Sequence, residues 1–473
     1  MPRSSRNRRA SSGVSRGAIV VGGDGWVVDG RGPVVVVVEV GRAAGAPESE
    51  PAPQPSTSAS AQTTAVRMGP ACTSRPPCAT RTPVPKPSAA IVGIGQTRFA
   101  KQLGITEAEV ACRAITAALD DAGVAARDVD GLCLYDIESN TVADVVAMLG
   151  LRDVGFFSTH SHGGGSYCAV VTSAAAALTA GHATTVLAFR ARNRGRASSA
   201  GKGRMDGGRP WEKIAPRIEG MYQWQVPFGV AAPVHEMALI ARRHMLDHGT
   251  TDDHFGEVAC AIRSHAVHNP NALMREPMTL ADHHASRWIA EPLRLLDCCI
   301  ETDGGSAIVL TTGERARDLR QRPARVLAST QCLGPAHHHP HDWFGYDRRR
   351  WMVAAAERLW GTAGAAPADV DAAMLYDHFT PMVLLALEDW GFCGDGESGA
   401  FVEDGRLRGP DGELPVNTHG GQLSEAFIHG FNNWNEAVRQ LRGTSTCQVP
   451  DAELVFVAAA SSDPYGAVLL ARS

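Results

Sequence analysis

One segment of the chain is written twice, and no other feature restricts the fold as much. Leu119-x3-Gly123-x4-Asp128-Val129-Asp130-x3-Leu134-Tyr135-Asp136 recurs as Leu359-x4-Gly364-x4-Asp369-Val370-Asp371-x3-Leu375-Tyr376-Asp377. The shift is 241 residues from Gly123/Gly364 through Gly150/Gly391, then 257 at His162/His419 and about 262 at Gly181/Gly443, so the second copy carries loop insertions. Ordered Asp-Val-Asp and Tyr-Asp positions separate this match from a chance likeness of Ala/Gly-rich helices. Each copy reads helix, glycine turn, strand, helix, His-Gly-Gly corner, helix, strand, which is an α/β alternation. Two copies predict a five-layered, pseudo-twofold architecture.

The corners are the second constraint. Val416-Asn417-Thr418-His419-Gly420-Gly421-Gln422-Leu423-Ser424-Glu425 has a weaker counterpart in Ser158-Thr159-His160-Ser161-His162-Gly163-Gly164-Gly165. Glycines at a strand-to-helix corner permit positive φ and close approach of a ligand. They also leave the first helical amides free to face an oxyanion. One site assembled from two related halves is the expectation.

Composition removes several function classes. The 473 residues exceed one average domain, and a formal charge of −5 with pI near 6.4 gives no global basic field for nucleic acid. No apolar run reaches the roughly 18–20 residues of a membrane helix; Val34–Val40 is far too short. Eleven cysteines without a CxxC pair fit a reduced, cytoplasmic protein, and the adjacent Cys298-Cys299 cannot easily clamp a metal. Residues 1–87 are Arg/Ser-rich and then Pro/Ser/Thr/Ala-rich, a disordered low-complexity tail or an over-extended start with Met68 as the alternative.

Along the rest, Ala89–Gly95, Leu132–Leu134, Thr185–Phe189, Ile300–Leu310, Arg325–Thr330, Met374–Tyr376 and Leu454–Ala460 read as strands. Thr106 caps a helix, and Tyr167–Ala180 is apolar all round, as a helix enclosed by protein is. Residues 191–290 break the repeat and are placed over the site, with helices at Val234–His248 and Phe255–Asn269. Arg192, Arg194 and Arg196 begin that insertion in a basic, Gly-rich loop, either solvated or facing a ligand's phosphate. His235-Glu236 lacks the second histidine of a zinc-protease motif, since position 239 is Leu. The Pro-flanked His337–His339 with His341 reads as a surface loop, so no metal is expected.

These residues resemble the thiolase superfamily, nearest to its sterol-carrier-protein-type thiolases and the actinobacterial lipid-transfer-protein branch. The likeness spans about Ala89–Ser473. Its carriers are Ser264-His265-x3-Asn269-Pro270-x-Ala272, Pro292-Leu293-x3-Asp297-Cys298, Asp303-Gly304-Gly305-x-Ala307, Tyr376-Asp377-His378-Phe379, and Asn417 through Glu425 with Ile428-His429-Gly430. The resemblance implies an α/β, thiolase-like duplicated α-β-α-β-α layered fold with an inserted loop domain. The halves would be 88–322 (insertion about 191–290) and 323–473. It also implies a homodimer, and CoA thioesters as substrates with no covalently bound cofactor.

A thiolase needs a thiolate at the first corner, where the helix N-terminus lowers its pKa. Counting back from Gly181 puts that position at Gly163–Gly165, where no acyl-enzyme can form; Cys168 lies one turn into the helix as a packed residue. What remains is an oxyanion site without a nucleophile. That suits retro-aldol cleavage of a β-hydroxyacyl-CoA to a carbonyl compound and a shorter acyl-CoA. The lipid-transfer-protein aldolases of steroid side-chain degradation share both corners and act with a small zinc-ribbon/OB-fold partner. By that likeness Tyr376 is the acid/base candidate, while His378 and His419 orient or polarise the thioester. His429 or Tyr346 would stand in for a family tyrosine whose place Phe427 takes. Gly163, Gly164, Gly165, Gly420 and Gly421 would bind the thioester oxyanion, with Asp377, Ser424, Glu425 and Phe427 in the pocket. The alternatives are an acyltransferase using Cys168 and a non-catalytic acyl-CoA-binding subunit.

Overall fold

Short Gly- and Ala-rich segments build this fold because two copies of one unit must lie close together. The computed structural model describes residues 89–135, 141–160, 164–193, 225–333, 348–459 and 465–473. The first copy runs β1 (Ala89–Gln96), α1 (Glu107–Ala122), β2 (Gly131–Tyr135), α2 (Val142–Leu149), β3 (Phe156–His160), α3 (Ser166–Ala180) and β4 (Thr185–Arg192). An excursion follows with α4 (Pro233–His248), α5 (Asp252–Ala266), the short helix Leu280–Ala285 and a small hairpin of β5 (Trp288–Ala290) and β6 (Leu293–Arg294). The first copy ends on β7 (Gly304–Thr312). The second runs β8 (Ala324–Cys332), α6 (Arg348–Ala363), β9 (Ala372–Leu375), α7 (Thr380–Asp389), α8 (Asn432–Arg442), β10 (Leu454–Ala458) and β11 (Tyr465–Arg472).

Strand order makes the duplication visible: β3-β2-β4-β7-β1-β8-β11-β10-β9. Outward from the central pair, β1, β7, β4, β2 match β8, β11, β10, β9 in order and direction, antiparallel twice and then parallel. The copies join where β1 meets β8, at Ala90–Arg325 and Ile91–Ala324. The counterpart of β3 shrinks to one bridge between Ala373 and Val416.

Helix α1 starts where Thr106 accepts the Glu109 amide at 3.1 Å, a cap worth about 1 kcal/mol. It stops at Gly123 with φ +69, and its buried face from Val110 to Ala122 covers one side of the first-copy strands. Helices α6 and α7 cover the outer side of the second-copy strands. Between them lie α3 and α8. Helix α3 touches β2 and β3 of its own copy and β8 and β11 of the other; α8 touches β9 and β10 and also β1 and β7. Each inner helix is thus enclosed by both copies, which is why α3 is apolar all round. No helix among the described residues is long and apolar enough to cross a membrane.

Candidate active site

The second corner is fixed by an unusually complete set of buried polar contacts. Asn417, at φ +53, bonds Leu375 in both directions, its Oδ1 accepting the amide at 2.8 Å and its Nδ2 donating to the carbonyl at 2.9 Å. Gly420 takes φ +104 and Gly421 φ +55; a β-carbon on Gly421 would lie 2.1 Å from Asp377 Oδ2, so only glycine fits. That carboxylate accepts the Gln422 amide at 2.9 Å and the Leu423 amide at 3.2 Å. Gln422 Oε1 accepts the Ile428 and Gly430 amides, each at 3.1 Å. Glu425 accepts Asn269 Nδ2 at 2.8 Å and Asn432 Nδ2 at 2.7 Å, and Ser424 Oγ accepts Arg263 Nε at 2.8 Å. Burial pushes both carboxyls, Asp377 and Glu425, up to about 7 against these donors.

This web frames Tyr376, which continues β9 by donating its amide to the Ala458 carbonyl at 3.2 Å. Its ring is 3% exposed and lies between two glycines. A β-carbon on Gly164 would come 2.4 Å from Tyr376 Cε1, and one on Gly430 would come 2.7 Å from Cδ2. The first corner and the loop leaving the second therefore meet on one phenol ring. The His378 ring is centred 4.6 Å away, Tyr167 5.9 Å and Phe427 6.4 Å. Burial raises the Tyr376 phenol well above its usual range, with Tyr135 and Cys299 adding and Arg190 and Arg192 opposing. Burial also lowers His378 to about 4, and its buried Nδ1 has no hydrogen-bond partner among the described residues. At neutral pH the site thus presents a protonated phenol beside a neutral imidazole.

His429, at φ +49, completes the group: its ring lies 4.5 Å from Phe427 and 5.8 Å from Tyr135. Arg190 Nη2 donates to His429 Nδ1 at 3.1 Å. A guanidinium can only donate, so the neutral imidazole carries its proton on Nε2.

The structure thus brings together Gly164, Tyr376, His378, Phe427 and His429. Gly163, Tyr346, Arg194, Arg196 and the His337–His341 cluster lie outside the described residues. Gly165 forms the N-terminal boundary of α3. His419 stands behind the turn, its Nε2 3.6 Å from Glu425 Oε2, and burial holds it down to about 3. Several expectations change. The Gly420 amide donates to the Asn417 carbonyl at 2.8 Å, and the Gln422 and Leu423 amides, two and three residues on, serve Asp377, so these three do not point at a ligand. Asp377, Ser424 and Glu425 are buried, and their side chains hold the turn through these hydrogen bonds. Arg192 is no solvated loop residue: it is fully buried, donates to the Thr302 carbonyl at 2.8 Å and to Glu301, and packs 4.8 Å over the Phe427 ring. Cys168 is fully buried, with burial driving its thiol far above the ordinary range, so it is no thiolate.

Sequence reading missed Arg190, whose one available signal was an arginine inside an apolar strand, and Cys299, which adds to the electrostatics at Tyr376.

The duplicated layers and the twin corners define a thiolase-fold protein whose centre holds a phenol and imidazoles instead of an exposed thiol. Residues 345–462 match the "Thiolase C-terminal domain-like" family model. The chain is 44% identical over 388 residues to 17-hydroxy-3-oxo-4-pregnene-20-carboxyl-CoA lyase of Mycobacterium tuberculosis, covering 81% of this chain and 98% of the relative. It is 42% identical over 386 residues to the steroid side-chain-cleaving aldolase of Thermomonospora curvata, covering 81% and 97%. Among solved structures it is similar to an Ltp2-ChsH2(DUF35) aldolase, with TM-score 0.74 and 41% identity over 82% of this chain and 99% of that one. The chain belongs to this family of thiolase-fold aldolases, which are carbon–carbon lyases.

Proposed function

We propose that the chain cleaves a β-hydroxyacyl-CoA by a retro-aldol reaction, with a steroid side chain as the acyl class its two relatives suggest. The observation that carries this reading is the Tyr376 ring standing where a side chain at Gly164 would go. A phenol in that volume leaves little room for an acyl-cysteine and supplies a proton donor. In the proposed reaction neutral His378 accepts the proton of the β-hydroxyl. The bond between the α- and β-carbons breaks, its electron pair passing into the thioester to give an enolate, and the β-carbon leaves as a carbonyl. His429 Nε2–H steadies the enolate oxygen, each good donor contributing roughly 10²–10³ in rate. Tyr376 then gives its proton to the α-carbon, completing the shorter acyl-CoA, and the proton held by His378 passes to the neighbouring Tyr376 phenolate to restore both groups.

Division at 322/323 into two thiolase-like halves belongs to the same proposal. So does a homodimer, for which β3 offers an outer edge carrying Phe157, 65% exposed. The two-component name of the similar structure supports a partner protein as well. The test is incubation of the full chain, alone and with a co-expressed partner, with β-hydroxyacyl-CoA thioesters. Release of a shorter acyl-CoA that survives Cys168→Ala supports the reading; a covalent thioester on the chain, or loss of turnover in Cys168→Ala, overturns it.

A further inference from the structure

We propose that the chain carries a structural site for a divalent transition-metal ion, with zinc the best chemical match, built from Asp252, His283 and His284. Ligand atoms of these three residues lie within 4.8 Å of one another. They come from the first residue of α5 and from the short helix Leu280–Ala285. A separation of 31 residues hides them from any motif-spacing search.

The argument rests on His283. It is fully buried, and its Nε2 lies 2.8 Å from Asp297 Oδ1. A carboxylate accepts, so Nε2 holds a proton and Nδ1 is the nitrogen left to offer a lone pair to a metal. Among the described residues that buried Nδ1 has no hydrogen-bond partner, and neither has the buried Asp252 Oδ1. Ligand atoms of these two residues lie within 4.8 Å of one another, and acceptors gathered in this way without donors repel unless a cation joins them. A carboxylate behind the far nitrogen of a ligating imidazole is also the arrangement that orients histidine toward a metal. His284, 40% exposed at its side chain, closes the third side: its Nε2 lies 3.9 Å from Asp252 Oδ2 and 2.9 Å from Asp253 Oδ1. Arg294 is the opposing cation, but its Nε takes Asp252 Oδ2 at 2.9 Å and leaves Oδ1 free. Three carboxylates (Asp252, Asp253, Asp297) outnumber that one guanidinium. Imidazole and carboxylate donors suit zinc.

The site would brace the catalytic loop. Asp297 Oδ1 also accepts Thr380 Oγ1 at 2.7 Å, two residues beyond His378, and the Cys299 amide donates to the His378 carbonyl at 2.9 Å.

The test uses the full chain without a polyhistidine tag, stripped with chelator and titrated with Zn²⁺ and with Co²⁺. The expected result is one equivalent of metal per chain, a visible cobalt absorption band, and a thermal midpoint that climbs with zinc concentration. Asp252→Asn and His284→Gln, both at partly exposed positions, should each weaken binding roughly tenfold or more. Failure to bind a stoichiometric equivalent overturns the proposal. So does binding untouched by either variant, which places the metal elsewhere. So does an NMR signature of a doubly protonated His283 at neutral pH, since an imidazolium would satisfy Asp252 unaided. None of these readouts depends on turnover, so the site stands or falls apart from the lyase reading.

Discussion

Adding one methyl group at Gly164 tests the arrangement most directly. The φ of Gly164 lies outside the left-handed region, so Gly164→Ala carries no backbone penalty of its own and acts through space alone. Its β-carbon would meet Tyr376 Cε1 at 2.4 Å, Cδ1 at 2.9 Å and Cζ at 3.0 Å. Ordinary carbon contacts need about 3.5 Å, so the ring must retreat by about 1 Å. Gly430 blocks retreat, since the ring already packs against it. Overpacking of this kind costs about 1–3 kcal/mol, and a reacting group displaced by about 1 Å loses on the order of 10² in rate. Urea unfolding reads the first effect and shorter acyl-CoA release the second. In a Tyr376→Ala background the clash has no partner, so the stability cost of Gly164→Ala should fall to near zero, a coupling within the roughly 0.5–3 kcal/mol of touching residues. Wild-type stability and rate in Gly164→Ala, or a cost that persists without the ring, would refute the reasoning.

Three further outcomes are expected. Tyr376→Phe should keep the fold and lose about 10²–10⁴ in kcat, measured by product release, because only the proton donor goes. Arg190→Met should free the His429 tautomer and lower kcat by roughly tenfold or more, leaving KM for the CoA thioester little changed and altering the pH profile of kcat. His419 is depressed to about 3 from the ordinary 6.5, so on acidification the unfolded chain binds this proton first. Its contribution is present above about 6.5 and is lost as pH falls toward 3, so His419→Leu should shift the acid-unfolding midpoint, followed by circular dichroism, to lower pH.

The duplication and the two corners were legible because they are local: a repeated Asp-Val-Asp, a helix that is apolar all round, glycines before a helix. Strand positions followed from runs of apolar residues, and the mirrored strand order then needs only the repeat. Hydrogen-bond accounting was not legible. The amides of the Gly420–Leu423 stretch looked available to an oxyanion until Asp377, more than forty residues earlier, proved to accept two of them. Arg190 and His429 stand 239 residues apart, and nothing in either neighbourhood announces the pair. Arg192 lay at the start of a basic, Gly-rich stretch, yet β4 runs to that residue and β7 pairs it with Gly304 inside the sheet. A loop reading fails there because pairing, unlike periodicity, is decided by distant strands.

The proton inventory gives a reason for the chemistry that fold likeness alone does not. A Claisen enzyme of this fold needs a low-pKa thiol, whereas burial raises Cys133 to about 11 and Cys168 and Cys299 higher still. The surroundings that suppress thiolates also keep the Tyr376 phenol protonated and His378 neutral. Desolvation therefore disables nucleophilic catalysis and supports enolate chemistry in one stroke, because an enolate needs donors with protons to give and a neutral acceptor for the hydroxyl proton. Arg190 extends the logic by fixing a proton on His429 Nε2. In the proposed mechanism, a cysteine placed at position 164 would not make a thiolase: its β-carbon would collide with Tyr376, and its sulfur would enter the same desolvated pocket. Gly164→Cys should therefore lose lyase activity without forming an acyl-enzyme from acetyl-CoA, and a trapped acetyl-thioester at that residue would overturn the account.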